Sequence, residues 1–223
     1  MVAMRAARCC VVFSKPAEPG RVKTRLHAVL TPEQAAELHQ AFLDDLVPRL
    51  ALGDFDLRMA WAVEEDAPLP GGVVPSLRQR GEDLGERLHR ALAETALDYE
   101  LVAAVGSDHP ELSAARVSEG FERLETGADV TLGPARDGGY YLIGLRRSAI
   151  RRRLFSRIPW GADGVLAATL DRCRSLGLEV ALLPPADDVD VPEDLERLEA
   201  LLRSGDGGCP NTARVLRAWG RIQ

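Results

Sequence analysis

The chain has 223 residues, of which 46% are hydrophobic and 28% are charged, a composition typical of a globular protein. Its formal net charge is −6, whereas a general nucleic-acid binder is expected to be basic, so we expect no nucleic-acid partner. No uninterrupted apolar run is long enough to cross a bilayer, and no small-residue cleavage site follows the N-terminal apolar run, so we expect neither a membrane span nor a signal peptide.

The four cysteines have neither C-x-x-C spacing nor a histidine at zinc-finger distance. This pattern predicts a thiol-reduced protein of the cytoplasm. Cys9 and Cys10 are neighbours in a predicted strand, so their side chains are expected on opposite faces of a sheet. At least one of them is therefore a predicted core residue.

The first predicted elements are a strand over Arg8–Ser14 and a helix that begins after Thr31. Thr31 is a suitable N-cap, and Pro32 suits the first helical position. Gln34 completes a capping box with Thr31.

The rest of the chain alternates apolar runs with helix-period segments, a pattern typical of βαβ units around a mostly parallel sheet. Further strands are predicted over Leu57–Val63, Leu101–Gly106, Asp129–Leu132, Tyr140–Leu145 and Leu178–Leu183. Further helices are predicted over Asp83–Thr95, Glu111–Glu125, Asp163–Leu176, Pro192–Leu202 and Thr212–Trp219. No loop separates two pieces large enough to fold alone, so residues 1–223 are predicted to form a single domain.

Four cations follow the first strand in the segment FSKPAEPGRVKTRL: Lys15, Arg21, Lys23 and Arg25. Ligands of parallel α/β sheets bind beyond the carboxyl ends of the strands, so this loop, which also contains Gly20, is a candidate phosphate site. The order and spacing are not those of a P-loop. On composition alone, a solvated loop in which cations cluster without a function is an equally good interpretation.

Two acidic segments also follow predicted strands. Asp108 lies in GSDHP directly after the strand over Leu101–Gly106, and Asp190 lies in DDVDVPEDL. Mg²⁺ commonly binds one or two carboxylates together with substrate phosphates, and these two side chains are candidates for that role. Each has a structural alternative: Asp108 as the cap of the helix expected from Glu111, and the second segment as favourable charge at a helix N-terminus.

The segment LGPARDGGYYLIGL places Asp137, Gly138 and Gly139 between two predicted strands. A β-hairpin turn explains these residues, because Asp-Gly and Gly-Gly pairs adopt the positive φ that such turns need. A substrate site explains them equally well, because missing side chains allow a ligand to approach the backbone while Asp137 hydrogen-bonds it. Trp160 is either a core residue, the simpler interpretation, or the wall of a pocket.

Taken in order, five segments resemble a bacterial family of uncharacterised GT-A-fold proteins: FSKPAEPGRVKTRL, QRGEDLGERL, GSDHP, LGPARDGGYYLIGL and DVDVPEDL. Members of this family are labelled glycosyltransferase-like, and some are associated with arsenosugar biosynthesis. The resemblance covers residues 10–200 of the chain. It implies a three-layer α/β/α nucleotide-diphospho-sugar transferase fold with a mixed, mainly parallel sheet.

The loop after the first strand is also similar to that of the molybdenum-cofactor and phospholactate guanylyltransferases, where such a loop holds the triphosphate. This similarity implies that Lys23 and Arg25 bind phosphate. Asp108 and Asp190 are similar to the two metal carboxylates of CMP-sugar synthetases, which implies Mg²⁺ or Mn²⁺ as the cofactor. Lys23, Arg25 and Asp108 are accordingly the predicted catalytic residues.

The resemblance also implies a set of substrate-binding residues. Those of the cationic loop are Lys15, Gly20 and Thr24, those of the base side are Gln79, Gly81 and Gly85, and those of the acceptor side are Asp137, Gly138, Gly139 and Trp160. The chain departs from the family where Trp160 is followed by Gly161–Ala162 instead of the common Ser-Thr, which removes two hydroxyl groups.

We therefore expect a Mg²⁺-dependent transferase that uses a nucleotide donor and a small-molecule acceptor. The family label favours glycosyl transfer from a nucleotide sugar, whereas the lysine–arginine loop favours nucleotidyl transfer with release of pyrophosphate. A non-catalytic nucleotide-binding or regulatory protein is the alternative from another class, and the residues Gly161–Ala162 favour it. The sequence identifies neither base, sugar nor acceptor, and it leaves the oligomeric state open.

Overall fold

A computed structural model describes residues 7–205 and 208–223 and contains a seven-stranded sheet with the order β3-β2-β1-β4-β6-β5-β7. The strands are β1 (Arg8–Ser14), β2 (Asp56–Trp61), β3 (Ser76–Arg78), β4 (Leu101–Gly106), β5 (Val130–Pro134), β6 (Tyr140–Arg146) and β7 (Val180–Leu182). Strand β6 pairs antiparallel with both of its neighbours, and the other pairs are parallel. The predicted mixed, mainly parallel sheet is confirmed.

Helices connect most of the strands. They are α1 (Pro32–Leu50), α2 (Leu84–Thr95), α3 (Ala114–Glu125), α4 (Arg152–Phe155), α5 (Val165–Ser175), α6 (Pro192–Ser204) and α7 (Pro210–Ala218). Two short 3-10 turns cover Thr24–Ala28 and Arg147–Ala149. Within residues 7–205 and 208–223, no helix has both the length and the apolar character needed to cross a membrane.

Local signals in the sequence set several of these boundaries. Strands β1 and β4 have the predicted bounds, and α1 begins with the predicted capping box: the Thr31 hydroxyl accepts from the Gln34 amide at 3.2 Å, and the Gln34 side chain accepts from the Thr31 amide at 3.0 Å. Helix α3 starts later than predicted, and Ser113 caps it by accepting from the Arg116 amide at 3.2 Å. The alternative in which Asp108 caps this helix is therefore wrong.

The strands bury both faces of the sheet, and the alternation along β1 separates two cores. Cys9 and Val11 face α2, α4 and α5, whereas Cys10 and Val12 face α1 and α3. The prediction that the two neighbouring cysteines point to opposite faces is confirmed. All four cysteines of the chain are buried free thiols.

A third apolar cluster joins α1 to α6 and α7 through side chains that include Leu38, Phe42, Leu195 and Leu216. Asp45 of α1 fixes this arrangement, because its carboxylate accepts from the amide of Thr212 at 2.8 Å and from its hydroxyl at 2.7 Å. That the whole chain is one domain stays a prediction.

Strands β1 and β4 run side by side, with Phe13 opposite Gly106, so that their carboxyl ends meet at one edge of the sheet. The loop after β1 and the segment GSDHP after β4 therefore emerge next to each other, as expected of two adjacent parallel strands.

Candidate active site

A cavity of about 440 Å³ lies at the carboxyl ends of β1 and β4. It is lined by residues of the loop after β1, of the end of β4, of α2 and of β6. Eight of the predicted site residues line it: Lys15, Lys23, Thr24, Arg25, Gln79, Asp108, Trp160 and Asp190. The structure thus brings together segments that are more than 160 positions apart in the sequence.

Three predicted glycines are near this cavity without lining it. Gly20 has a φ of +76° in the loop after β1, and Gly81 supplies the carbonyl that accepts from Arg87 Nε at 3.0 Å. Gly85 lies beneath Trp160: a Cβ atom there would be 2.4 Å from the indole nitrogen Nε1. The absence of a side chain at Gly85 is therefore what allows the indole to pack on α2.

Asp137, Gly138 and Gly139 form the turn between β5 and β6. The Asp137 carboxylate accepts from the amide of Gly139 at 2.8 Å, and Gly138 has a φ of +88°. The hairpin interpretation of these residues is confirmed, and none of the three lines the cavity in the described part of the chain. Their contact with the acceptor stays a prediction.

Lys23 is buried, with 2% of its side chain exposed, and it heads the first 3-10 turn with a φ of +48°. Its ammonium donates to Asp108 and, at 2.6 Å, to the carbonyl of Val189. It also lies 5.2 Å from the centre of the Phe42 ring, within the range of a cation–π contact. Lys23 therefore joins the loop after β1, the end of β4 and the segment before α6. Its assignment to a phosphate stays a prediction.

The pKa of Asp108 is lowered. Burial works to raise it, but the charge and hydrogen bond of Lys23 outweigh the burial, so the carboxyl group is ionised at neutral pH. About half of the Asp108 side chain, 49%, remains exposed on the cavity side of the ion pair.

Asp190 pairs with Arg25 at 2.7 Å across the mouth of the cavity, and both side chains are partly exposed. Asp194, in the first turn of α6, accepts from the backbone amides of Asp190 and Val191, each at 2.9 Å. Asp194 thus fixes the backbone of the segment that carries Asp190.

Asp188 adds a further carboxyl group near this region. Its pKa is raised to about 6, first by burial and then by the negative charges of Asp137 and Asp108. Among the residues that the structure describes, no group of three or more histidine, cysteine, aspartate or glutamate side chains is arranged to hold a metal ion.

His39 is a cavity residue that the sequence did not point to. It lies on α1 with 3% of its surface exposed, and its Nε2 atom is 3.1 Å from the Lys15 carbonyl and 3.0 Å from the Ser14 hydroxyl. Because a carbonyl can only accept, Nε2 carries the proton of the neutral ring. Burial lowers the pKa of His39, so the ring is neutral and anchors the start of the cationic loop.

Arg87 of α2 is a second cavity residue that sequence reasoning missed. The segment QRGEDLGERL contains two arginines, Arg80 and Arg87, and no pattern in it separates Arg87 from a solvated side chain. Leu88 and Leu92 pack against the sheet and so set the rotation of α2 about its axis. This rotation is what turns Arg87 toward the cavity.

The cavity is cationic although the chain is acidic. Among the described residues, five basic side chains line it, Lys15, Arg21, Lys23, Arg25 and Arg87, against the two carboxylates of Asp108 and Asp190. A cleft of one sign concentrates ligands of the opposite charge. The arrangement therefore favours an anionic ligand.

Comparison with known proteins identifies a family and several relatives of this chain. Residues 50–162 match the family described as "Uncharacterized protein conserved in bacteria (DUF2064)". The 2-phospho-L-lactate guanylyltransferase of Halorubrum lacusprofundi is 32% identical over 221 residues, covering 91% of this chain and 89% of that protein. The crystal structure of a proposed nucleotide-diphospho-sugar transferase from Desulfovibrio desulfuricans is 34% identical, with a TM-score of 0.88 and coverage of 96% and 95%.

More distant structures share the fold alone. A CMP:2-keto-3-deoxy-manno-octonic acid synthetase, solved with CTP, is 13% identical with a TM-score of 0.54, covering 90% of this chain and 100% of that one. A cytidylyltransferase from Leptospira borgpetersenii is 12% identical with a TM-score of 0.58, covering 97% and 96%. The predicted fold class and the predicted enzyme class, a transferase, are confirmed.

Proposed function

The chain belongs to the bacterial family DUF2064, and from this premise we propose that it is a nucleotidyltransferase that uses a nucleoside triphosphate and releases pyrophosphate. The observation that carries the proposal is that the cationic loop after β1 lines the same cavity as Asp108 and Asp190. The guanylyltransferase relative favours GTP as the donor and a small phosphorylated acid as the acceptor.

The residues of the cavity suit this reaction. An acceptor oxygen attacks the α-phosphorus and a diphosphate leaves, so catalysis depends mainly on positioning and on neutralising charge. Lys15 is exposed and forms no ion pair in the described part of the chain, so its ammonium is available to phosphate. Arg25 is 64% exposed and can exchange Asp190 for a phosphate group.

The carboxylate oxygens of the cavity are suitable ligands for a magnesium or manganese ion. Asp108 and Asp190 offer carboxylate oxygens to one cavity, and Mg²⁺ typically combines one or two carboxylates with phosphates and water. A bound ion would neutralise the charge of the leaving diphosphate. Lys23 holds Asp108 ionised and in place, which keeps that carboxylate ready for the cation.

Pyrophosphate release tests the proposal. The protein is incubated with Mg²⁺, each of the four nucleoside triphosphates and 2-phospho-L-lactate, the acceptor that the relative's name gives. We expect release with GTP, and loss of release in Asp108→Asn and Asp190→Asn. Asp171→Asn is the matched control, because Asp171 pairs with Arg174 on the exposed surface of α5. Activity that survives in both cavity variants would contradict the assignment.

Glycosyl transfer is the second candidate, and the description of the relative from Desulfovibrio desulfuricans favours it. Release of a nucleoside diphosphate from a nucleotide sugar, with no pyrophosphate from any triphosphate, would establish it instead. The residues Gly161–Ala162 favour the third possibility, a protein that binds the nucleotide without turnover. Binding of triphosphates with Mg²⁺, but no product with any acceptor, would be its result. Location in the cytoplasm and the lack of a nucleic-acid partner stay predictions.

A further inference from the structure

Arg87 differs from the other arginines of the cavity in its partners. Arg25 pairs with Asp190, and Arg21 pairs with Glu18 and Glu64. Arg87, by contrast, forms no ion pair with any residue in the ranges 7–205 and 208–223. The Arg87 side chain is partly exposed, so its terminal N–H groups stay solvated until a ligand supplies acceptors.

The orientation of Arg87 is fixed by the backbone. Its Nε donates to the carbonyl of Gly81 at 3.0 Å, which leaves the two terminal amino groups as its remaining donors. Gly81 has a φ of +144°, and a Cβ atom there would lie 2.6 Å from Glu86 Cβ and 2.9 Å from the Arg87 amide nitrogen. Glycine at this position thus allows the carbonyl to reach Arg87, and the fork of N–H groups is held in place before a ligand binds.

The part of the cavity wall that α2 and Trp160 form is mainly apolar. Leu84, Arg87 and Leu88 lie on one face of α2 at positions i, i+3 and i+4, and all three line the cavity. Trp160 lines it as well, with its indole packed on Gly85. Apolar walls of this kind suit a flat aromatic base, whereas the cations of the loop after β1 suit the phosphates.

Gln79 supplies a fixed acceptor in the same cavity. Its Nε2 donates to the carbonyl of Ala60 at 2.8 Å and to that of Ser14 at 3.3 Å, which occupies both of its protons. The oxygen Oε1 therefore remains as the free group of this side chain. The cavity offers a ligand one donor fork and one acceptor, both held by backbone carbonyls.

Resting on the proposed nucleotidyltransferase function, we propose that Arg87 selects the donor base by donating two parallel hydrogen bonds to O6 and N7 of guanine. A fork of two donors needs two adjacent acceptors. Guanine has them in O6 and N7 and cytosine in N3 and O2, whereas adenine and uracil have no such free pair. Guanine also has an N1–H group beside O6, which suits the Gln79 oxygen, and the 32% identical guanylyltransferase favours guanine over cytosine.

The experiment measures dissociation constants by calorimetry, with Mg²⁺ present, for GTP, 7-deaza-GTP and ATP. In 7-deaza-GTP a C–H group replaces N7, which removes one acceptor and leaves the phosphates unchanged. The unmodified protein is expected to prefer GTP to ATP by roughly 5- to 150-fold, the range of a bidentate arginine–guanine contact, and to discriminate against 7-deaza-GTP by part of that factor.

Two variants of Arg87 and one control separate the possible roles. Arg87→Gln and Arg87→Lys are both expected to lose the preference for GTP over 7-deaza-GTP and to lower the preference for GTP over ATP, because lysine keeps the charge but lacks the fork. Part of the preference over ATP remains in both variants, because the Gln79 oxygen still accepts from the guanine N1–H group. Arg90→Gln is the control: Arg90 lies on the same helix, is 57% exposed and pairs with Glu86. It is expected to keep the preference of the unmodified protein.

Other results overturn the assignment in distinguishable ways. Equal weakening of all three nucleotides by Arg87→Gln, with rescue by Arg87→Lys, would place Arg87 on phosphate. Unchanged affinities in Arg87→Gln would remove Arg87 from the nucleotide site while leaving the proposed function standing. If the unmodified protein binds no triphosphate at all, the proposed function is wrong and the assignment of Arg87 with it.

Discussion

Replacing the buried Lys23 by methionine removes an ammonium group but keeps an unbranched chain over the Phe42 ring. The carbonyl of Val189 then loses its donor in a buried position, which costs about 1–3 kcal/mol. Asp108 adds little to this, because its half-exposed carboxylate can be hydrated again. For a chain of this size, the loss of stability corresponds to a fall in Tm of roughly 2–12 °C.

Lys15→Met is the matched control, because Lys15 is exposed and its ammonium makes only a long contact, 3.4 Å, with the Arg21 carbonyl. Its stability is expected to change by less than about 0.5 kcal/mol, whereas its affinity for Mg²⁺–GTP falls. Urea denaturation followed by circular dichroism, without nucleotide, measures both variants. If Lys23→Met is as stable as Lys15→Met, Lys23 does not join the three segments in the way the hydrogen bonds indicate.

Three further substitutions test other parts of the structure. Gly85→Ala places a methyl group against Trp160, and it is expected to lower the free energy of unfolding by about 1–3 kcal/mol and to shift the tryptophan fluorescence. Gly71→Ala is the control: it has open space around it, so stability and fluorescence are expected to stay unchanged. Asp45→Ala leaves the amide of Thr212 without its acceptor and is expected to lower the free energy of unfolding, measured by urea denaturation, by about 1–3 kcal/mol. Asp44→Ala, at an exposed position, is expected to lower it little. Equal losses in the two variants would contradict the docking of α7 on α1. The pKa of His39 is lowered in the folded protein, so the unfolded chain binds more protons once the pH falls below about 6.5, and stability decreases as the pH falls. The decrease in Tm between about pH 7.5 and pH 5.5 is therefore expected to be smaller in His39→Asn than in the unmodified protein. An equal decrease in both proteins would exclude His39 as its source.

The parts of the fold that the sequence predicted well are those with local signals. The capping box at Thr31 set the start of α1, and long apolar runs set β1 and β4. Strand β3 and helix α4 were missed, because three or four residues are too few to show a period. Strand β3 pairs with the longer β2, and α4 packs in one core with α2 and α5.

The candidate site divides in the same way. Lys23, Asp108 and Asp190 were accessible to sequence reasoning, because residues after parallel strands must gather at one edge of the sheet. Their partners were not, since no pattern indicates that the ammonium of Lys23 reaches the carbonyl of Val189 across 166 positions. His39 and Arg87 were missed because they belong to helices, where packing alone decides which side chain faces the cavity.

A crystal structure of the protein with Mg²⁺ and the non-hydrolysable α,β-methylene analogue of GTP tests most directly whether this cavity is a nucleotide site. The proposal predicts a triphosphate within hydrogen-bond distance of Lys15 and Arg25, and a metal ion that links it to Asp108 and Asp190. A nucleotide bound away from the carboxyl ends of β1 and β4, or a metal ion held by other carboxylates, would contradict it.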